Sequence, residues 1–428
     1  MKSVALIVAL AAVALAQHWD IEQVDSAGWG ASVEMRWHPD GRLFLCYSNA
    51  SGTIRLASKD SVWHCESVPT AGQPVSETQA FDIDRRGDIG VSYMGNDGYY
   101  WYALKTGAGW TDAKTPFHYG FPSPSTLDTA GLPAITTPVG DALVLARLRD
   151  TSWVTDTLVT GDPQWNPFFG GCALGSRADG VVWGVFWYSY SWPDRDPHGE
   201  DLFSFYAGDS GVAVNAIAGG DFDALGGASG CVDRRGFVHS CYAYQPMGDS
   251  VGLYLDQTQI DNVWVERTAL KFDSLDRPQI AYVPSDGGLM YRYLGPEGWH
   301  IFDMQTTGVT ALSLIIGENS QPLIAYTTSA GVFLAHGVDV AGQSEEASKP
   351  QAASLKPQAT VVRGVLRVPV SLFTIHTSLF DMTGRQVMAL HPGANDVSGL
   401  APGVYFVREK PQAPSLKPQA VRKVVIQR

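Results

Sequence analysis

The densest group of side chains able to do chemistry lies between Ser189 and Asp201, where Trp192, Asp194, Asp196, His198, Glu200 and Asp201 fall close together. Asp194, Asp196, Glu200 and Asp201 offer the hard oxygen atoms that Ca²⁺ takes as ligands. They lack the spacing of a defined calcium loop, so a solvated acidic loop is the competing reading. Two further stretches, residues 116–122 and 163–169, are short, proline-bounded and aromatic. Across the three, Tyr119, Trp165, Phe168, Tyr190 and Trp192 can stack on sugar rings, while Asp194, Asp196 and His198 can bond hydroxyls or hold a cation. Two readings stand for the rings: an exposed platform for ligand, or a plug folded back over a cavity.

Signatures of a defined reaction are missing. The sequence has no Gly-x-Ser-x-Gly, no His-Glu-x-x-His, no phosphate loop and no dinucleotide fingerprint. A glycosidase that grips a sugar carboxylate needs convergent arginines and paired acids. Arg36, Arg55, Arg147, Arg177 and Arg292 are scattered, and no motif selects among them. These observations favour a non-enzymatic glycan- or protein-binding module. A secreted polysaccharide-acting hydrolase or lyase is the alternative, and carboxylates facing each other across a central cavity would favour it.

The elements that must position such loops recur along the chain. A strand ending in a small residue and Tyr returns as Arg42–Tyr47, Asp88–Tyr93, Phe237–Tyr242, Pro278–Tyr282 and Pro322–Tyr326, with weaker copies at Pro133–Thr136 and Val182–Tyr188. Turns rich in Asp and Gly precede these strands, at Asp40-Gly41, Asp84–Gly87, Asp233–Gly236 and Asp273–Asp276. Asp and Gly suit tight turns because one bonds to nearby backbone and the other accepts positive φ. Trp63, Trp110, Trp153, Trp264 and Trp299 are expected to head the fourth strand of a unit, as packing residues. Four short antiparallel strands at this period predict an all-β fold, a seven-bladed β-propeller, with six or eight blades as alternatives. The seventh unit lacks a Trp-led fourth strand, and Trp19–Val24 supplies one. Residues 19–24 are therefore expected to pair with 331–336 and close the ring. The body loosely resembles sialidase-like secreted propellers, although their Ser-x-Asp-x-Gly-x-x-Trp box does not occur intact.

Charge divides the chain. From Lys349 onward there are 11 Lys/Arg and 3 Asp/Glu; the preceding residues hold 19 and 40, so a body of net −21 is followed by a tail of net +8. So acidic a body repels nucleic acid and anionic lipid. At the start, Lys2 precedes an apolar run ending Ala14-Leu15-Ala16, which reads as a signal peptide of residues 1–16 rather than a membrane span. Export permits disulfides, but Cys46 and Cys241 occupy a repeat position held elsewhere by Ser92, Ala281 and Ala325. The five cysteines are therefore read as small buried residues.

After a propeller at 17–339, residues 340–359 form an Ala/Ser/Pro/Gln linker whose sequence recurs at 411–420, a low-complexity copy expected to be a loop. Residues 360–428 carry short strands and read as a small β-sandwich. Within them Leu379–Val387, Leu400–Val407 and the terminal Arg422–Ile426 resemble the type A sorting domain of the type IX secretion system, with Gly384, Arg385, Gly403, Tyr405 and Lys423 at its motif positions. The resemblance implies the type IX machinery as partner. It also implies passage through the periplasm and across the outer membrane, and a secreted or cell-surface destination.

Overall fold

The computed structural model describes residues 18–26, 30, 32–49, 52–118, 124–162, 167–191, 198–209, 211–221, 224–246, 250–317, 320–338, 360–362, 365–368, 376–381, 385–390, 393–410 and 422–426. The expected signal peptide, the expected linker and the 411–420 copy lie outside them. The chain divides into two compact units, residues 1–344 and 345–428.

The first unit is a propeller of seven four-stranded antiparallel sheets. Blade 1 is Val33–Trp37, Leu43–Ser48, Ile54–Lys59 and Trp63–Ser67; blade 2 is Pro74–Ile83, Ile89–Gly95, Tyr99–Thr106 and Gly109–His118. Blade 3 is Ser125–Leu127, Pro133–Val139, Ala142–Arg149 and Ser152–Thr160; blade 4 is Phe168–Ser176, Val182–Ser191, His198–Gly208 and Gly211–Asp221. Blade 5 is Ala224–Val232, Val238–Gln245, Gly252–Leu255 and Thr258–Asp261; blade 6 is Val265–Phe272, Pro278–Pro284, Met290–Gly295 and Gly298–Asp303. Blade 7 is Ala311–Ile316, Pro322–Thr328 and Gly331–Val338, completed by His18–Asp25.

That last strand closes the ring as expected, shifted by one residue. Trp19 lies opposite Gly337 and Asp20 opposite His336, and the register slips between Gln23 and Asp25. The bulge brings Asp25 within reach of blade 1, where its carboxylate accepts the Tyr47 hydroxyl at 2.5 Å and pairs with Arg55 at 3.1 Å.

Second strands are buried along their whole length, as in Leu43–Ser48 and Pro322–Thr328, because neighbouring blades cover both faces. Outer strands such as Gly109–His118 alternate, one face on the sheet beneath and one in water. The recurring Tyr of the second strand is a core residue. Tyr47, Tyr93, Tyr242, Tyr282 and Tyr326 are all buried, and the Tyr93 hydroxyl donates a hydrogen bond to Asp112 at 2.6 Å.

One fourth-strand assignment fails. Blade 5 ends with Thr258–Asp261, before Trp264, which lies in the connection to blade 6 and packs over Gly226. Unit five has a short outer strand with no Trp, so the next large indole took its place in the sequence pattern. All five cysteines are free thiols.

The turns joining first to second strands share one construction. The fourth turn residue has positive φ in every blade: Gly41, Gly87, Gly131, Gly180, Gly236, Asp276 and Ser320. In four of them the opening aspartate bonds two backbone N–H groups. Asp84 takes those of Arg86 and Asp88, and Asp128, Asp233 and Asp273 repeat the pattern at 2.8–2.9 Å. Side chains then lace three pairs of neighbouring turns: Arg86 to Ala130 O at 2.8 Å, Arg177 to Gly236 O at 3.3 Å, and Gln279 to Ser320 O at 3.1 Å.

The second unit is a five-stranded sheet in the order Thr360–Val362, Arg422–Ile426, Gly403–Lys410, His376–Phe380 and Gln386–Leu390, with a separate pair of Val365–Val368 and Gly393–Asp396. Its buried cluster is Leu379, Leu390, Val397 and Tyr405. The Tyr405 hydroxyl bonds Ala401 O at 2.8 Å, and Arg385 closes a turn on Asp381 through its backbone N–H and its guanidinium, both at 3.1 Å. Gly403 opens a strand, Lys423 lies opposite Phe406 in the last one, and Gly384 falls outside the described residues.

Candidate functional site

Seven first strands surround the propeller axis, each running from the face of the blade-to-blade connections toward the face of the tight turns. Alternation along a strand turns every second residue to the axis, so the channel lining is a sequence of rings. Two cavities occupy it. One, of about 490 Å³, is walled by the first residues of these strands, among them Glu34, Gly171, Leu225, Glu266 and Ala311, and so opens at the connection face. The other, of about 460 Å³, is walled by later residues, including Arg36, Asp82, Asp128, Arg177 and Lys271. Val33, Glu34, Pro124, Cys172, Thr268 and Leu312 border both, which makes them one channel with a mouth and a waist.

The waist is a charge cluster. The Arg36 guanidinium meets Glu34 at 3.0 Å and Asp82 at 3.2 Å. Asp82 also accepts the Thr126 hydroxyl at 2.6 Å and the Leu127 N–H at 3.0 Å. Lys271 faces this group from blade 6. Burial, with the nearby Arg36, lowers its amine below the ordinary lysine range. Burial likewise raises Glu34, with Arg36 opposing and Asp82 adding to the effect.

The mouth has a different make-up. Trp187, from the second strand of blade 4, lies half-buried at its wall and stacks on Phe168 with ring centres 5.2 Å apart. It reaches over Gly170, its register partner, and any Cβ there would strike the indole. Glu200 stands beside it on the third strand and accepts the Leu225 N–H at 2.6 Å, tying blade 4 to blade 5. Glu266 and Arg267 are exposed on the far side. Cys172, between mouth and waist, has its thiol pushed up to about 12 by burial and is no nucleophile. An aromatic face beside carboxylates and a guanidinium is the combination that grips a polyhydroxylated ring: C–H face on indole, hydroxyls on charged acceptors and donors.

The sequence candidates fare unequally. Phe168 is at the mouth, as the support of Trp187. Tyr190 is a correction: it is 6% exposed, packed against Tyr188 and over Gly199, because strand Val182–Ser191 runs two residues past the expected loop edge and turns the ring into the sheet. Tyr119, Trp165, Trp192, Asp194 and Asp196 lie outside the described residues. The backbone of His198 pairs with Ser191. Glu200 and Asp201 are strand residues opposite Ser189 and Tyr188, and Glu200 serves Leu225. Among the described residues no three His, Cys, Asp or Glu side chains gather to hold a metal ion. The five arginines do not converge: Arg55, Arg147 and Arg292 pair with Asp25, Asp156 and Asp261, away from the axis. Arg36 and Arg177 line the waist. Trp187, Glu34, Glu266 and Arg267 escaped the sequence reading. Their signal was position, near the start of a first strand or opposite a glycine, rather than motif.

No family model and no curated protein matches the chain. Solved structures do. A polysaccharide lyase, PL25 ulvan lyase bound to -[GlcA(1-4)Rha3S]-, is 12% identical with a TM-score of 0.51, over 73% of this chain and 94% of that one. The WD40 β-propeller domain of Doa1 is 12% identical with a TM-score of 0.45, over 75% and 97%. The SapL1 lectin in complex with alpha methyl fucoside is 12% identical with a TM-score of 0.41, over 74% and 94%. At this identity the likeness is one of architecture, and the chain is a β-propeller protein.

Proposed function

We propose that this protein is an exported, non-catalytic propeller that binds glycan at the mouth of its channel. The observation that carries the reading is the cavity of about 490 Å³ with Trp187 on one wall and Glu34, Glu200, Glu266 and Arg267 around it. That volume suits one or two sugar residues, and the lining combines an aromatic face with convergent polar groups. The lyase named above acts on a polysaccharide from the same architecture, which makes a sugar ligand the natural first trial. Carboxylates do line the channel, the feature named above as favouring an enzyme. Catalysis is nonetheless the weaker reading because they are already engaged: Glu34 and Asp82 share Arg36, Asp84 and Asp128 pair with Arg86 and Arg149, and Glu200 accepts the Leu225 N–H. The terminal unit, through its likeness to the type A sorting domain, directs the body to the type IX machinery, and the leader of residues 1–16 directs it to the periplasm first.

A glycan array probed with the mature protein and with Trp187→Ala tests the site. Loss of a bound glycan signal in the variant, with its melting temperature close to that of the parent, supports the reading. An unchanged pattern overturns it. Unsaturated products appearing during incubation with polysaccharide would move the assignment to a lyase. Removal of residues 360–428 should leave the body folded in the periplasm; normal levels of the truncated protein outside the cell would refute the sorting role.

A further inference from the structure

The channel does more than offer a sugar-sized space: its mouth carries an excess of carboxylates, while its waist is balanced. The described charged residues at the mouth are Glu34, Glu200 and Glu266 against Arg267, whereas at the waist Arg36, Arg85, Arg177 and Lys271 are matched by Glu34, Asp82, Asp84 and Asp128. Arg36 is shared by Glu34 and Asp82, and Lys271 adds a second cation behind them. The residues before Lys349 carry a net charge of −21, so the field outside the mouth has the same sign as the mouth itself. Trp187 adds an indole face, whose quadrupole attracts cations and not anions.

Resting on the glycan reading above, we propose that the mouth selects sugars by charge and takes a hexosamine residue bearing a free amine. The ammonium group is held at the mouth by Trp187 and the carboxylates of Glu266 and Glu34, where carboxylates outnumber cations. Sugar carboxylates and sulfates meet a like-signed mouth and are turned away. The ligand charge is thus opposite to that of the uronate-containing polymer held by the similarly folded lyase.

The test is calorimetric titration of the full-length mature protein with three oligomers of equal length: glucosamine, N-acetylglucosamine and a hexuronate. The glucosamine oligomer should bind at least ten-fold tighter than its acetylated counterpart, with the hexuronate weakest. Glu266→Gln, an exposed position, should cut that preference several-fold at unchanged melting temperature, and Glu34→Gln serves as the second variant. Equal binding of the amine and acetyl forms, or tighter binding of the hexuronate, overturns the charge selection; if Trp187→Ala still abolishes that binding, the glycan site itself stands. Binding of no oligomer, together with an array pattern indifferent to Trp187→Ala, removes both.

Discussion

The two faces of the propeller are built by opposite rules. On the turn face, seven connections repeat one conformation, with a positive φ at the same turn position and an aspartate folded onto the backbone in four of them. On the connection face, where the first strands begin, those strands differ from blade to blade, from the three residues of Ser125–Leu127 to the ten of Pro74–Ile83. Repetition signals a part that answers only to folding, since the same physical problem recurs in each blade. Irregularity gathers where each connection has its own task, and there the mouth with Trp187 and Glu266 lies.

Four experiments break or sharpen this contrast. The largest effect should come from deleting residues 18–25, which belongs to neither face: the melting temperature should fall by roughly 10 °C or more in scanning calorimetry, or cooperative unfolding should vanish. Next is Gly131→Val on the turn face. Its φ is 73° and a side chain would collide with the Arg86 guanidinium; a loss of about 2–3 kcal/mol in denaturant titration is expected, with glycan binding untouched. On the other face, Trp187→Ala should reverse the pattern, with binding weakened at least about ten-fold and stability lowered by only about 1–2 kcal/mol, since the ring is half-buried. A result in which both variants change both quantities would erase the division of labour.

The smallest effect concerns pH. His239 bonds Asp256 at 2.8 Å and lies near Asp233 on the turn face. Burial opposes the charged imidazole, but the two aspartates outweigh it, so the pKa in the folded protein is raised above 6.5. This contribution is full below about 6.5 and is lost as pH rises through the folded value. The stability gap between the parent and His239→Gln should therefore be constant in mild acid and shrink toward pH 8. A gap that widens with pH would show that the ring is held neutral.

Repetition also governed what could be read in advance. The small-Tyr strands and Asp–Gly turns were legible because each blade restates them, and the spare Trp19 strand was legible as a gap in that series. Trp264 misled because a periodic search accepts any indole at roughly the right distance. Tyr190 misled because an aromatic next to a Pro- and Asp-rich stretch looks like a loop residue, whereas the strand continues through it. Trp187 and Glu266 carry no motif; only closure of the ring gathers first strands from seven blades around one axis.

The strand His18–Asp25 also sets a clock. Glu22 and His336 bond across 314 positions of chain, and closing so long a loop costs about 5 kcal/mol in entropy. The earliest-made strand of the propeller must wait for the latest-made, and the backbone of Ile21 and Gln23 gains its ladder partners only when Ala335 and Phe333 arrive. Six blades can complete their sheets as they are made, but the seventh, and with it the ring, closes only when both ends of the propeller are present. Sequence order thus leaves the rigidity of the whole to the last strand made.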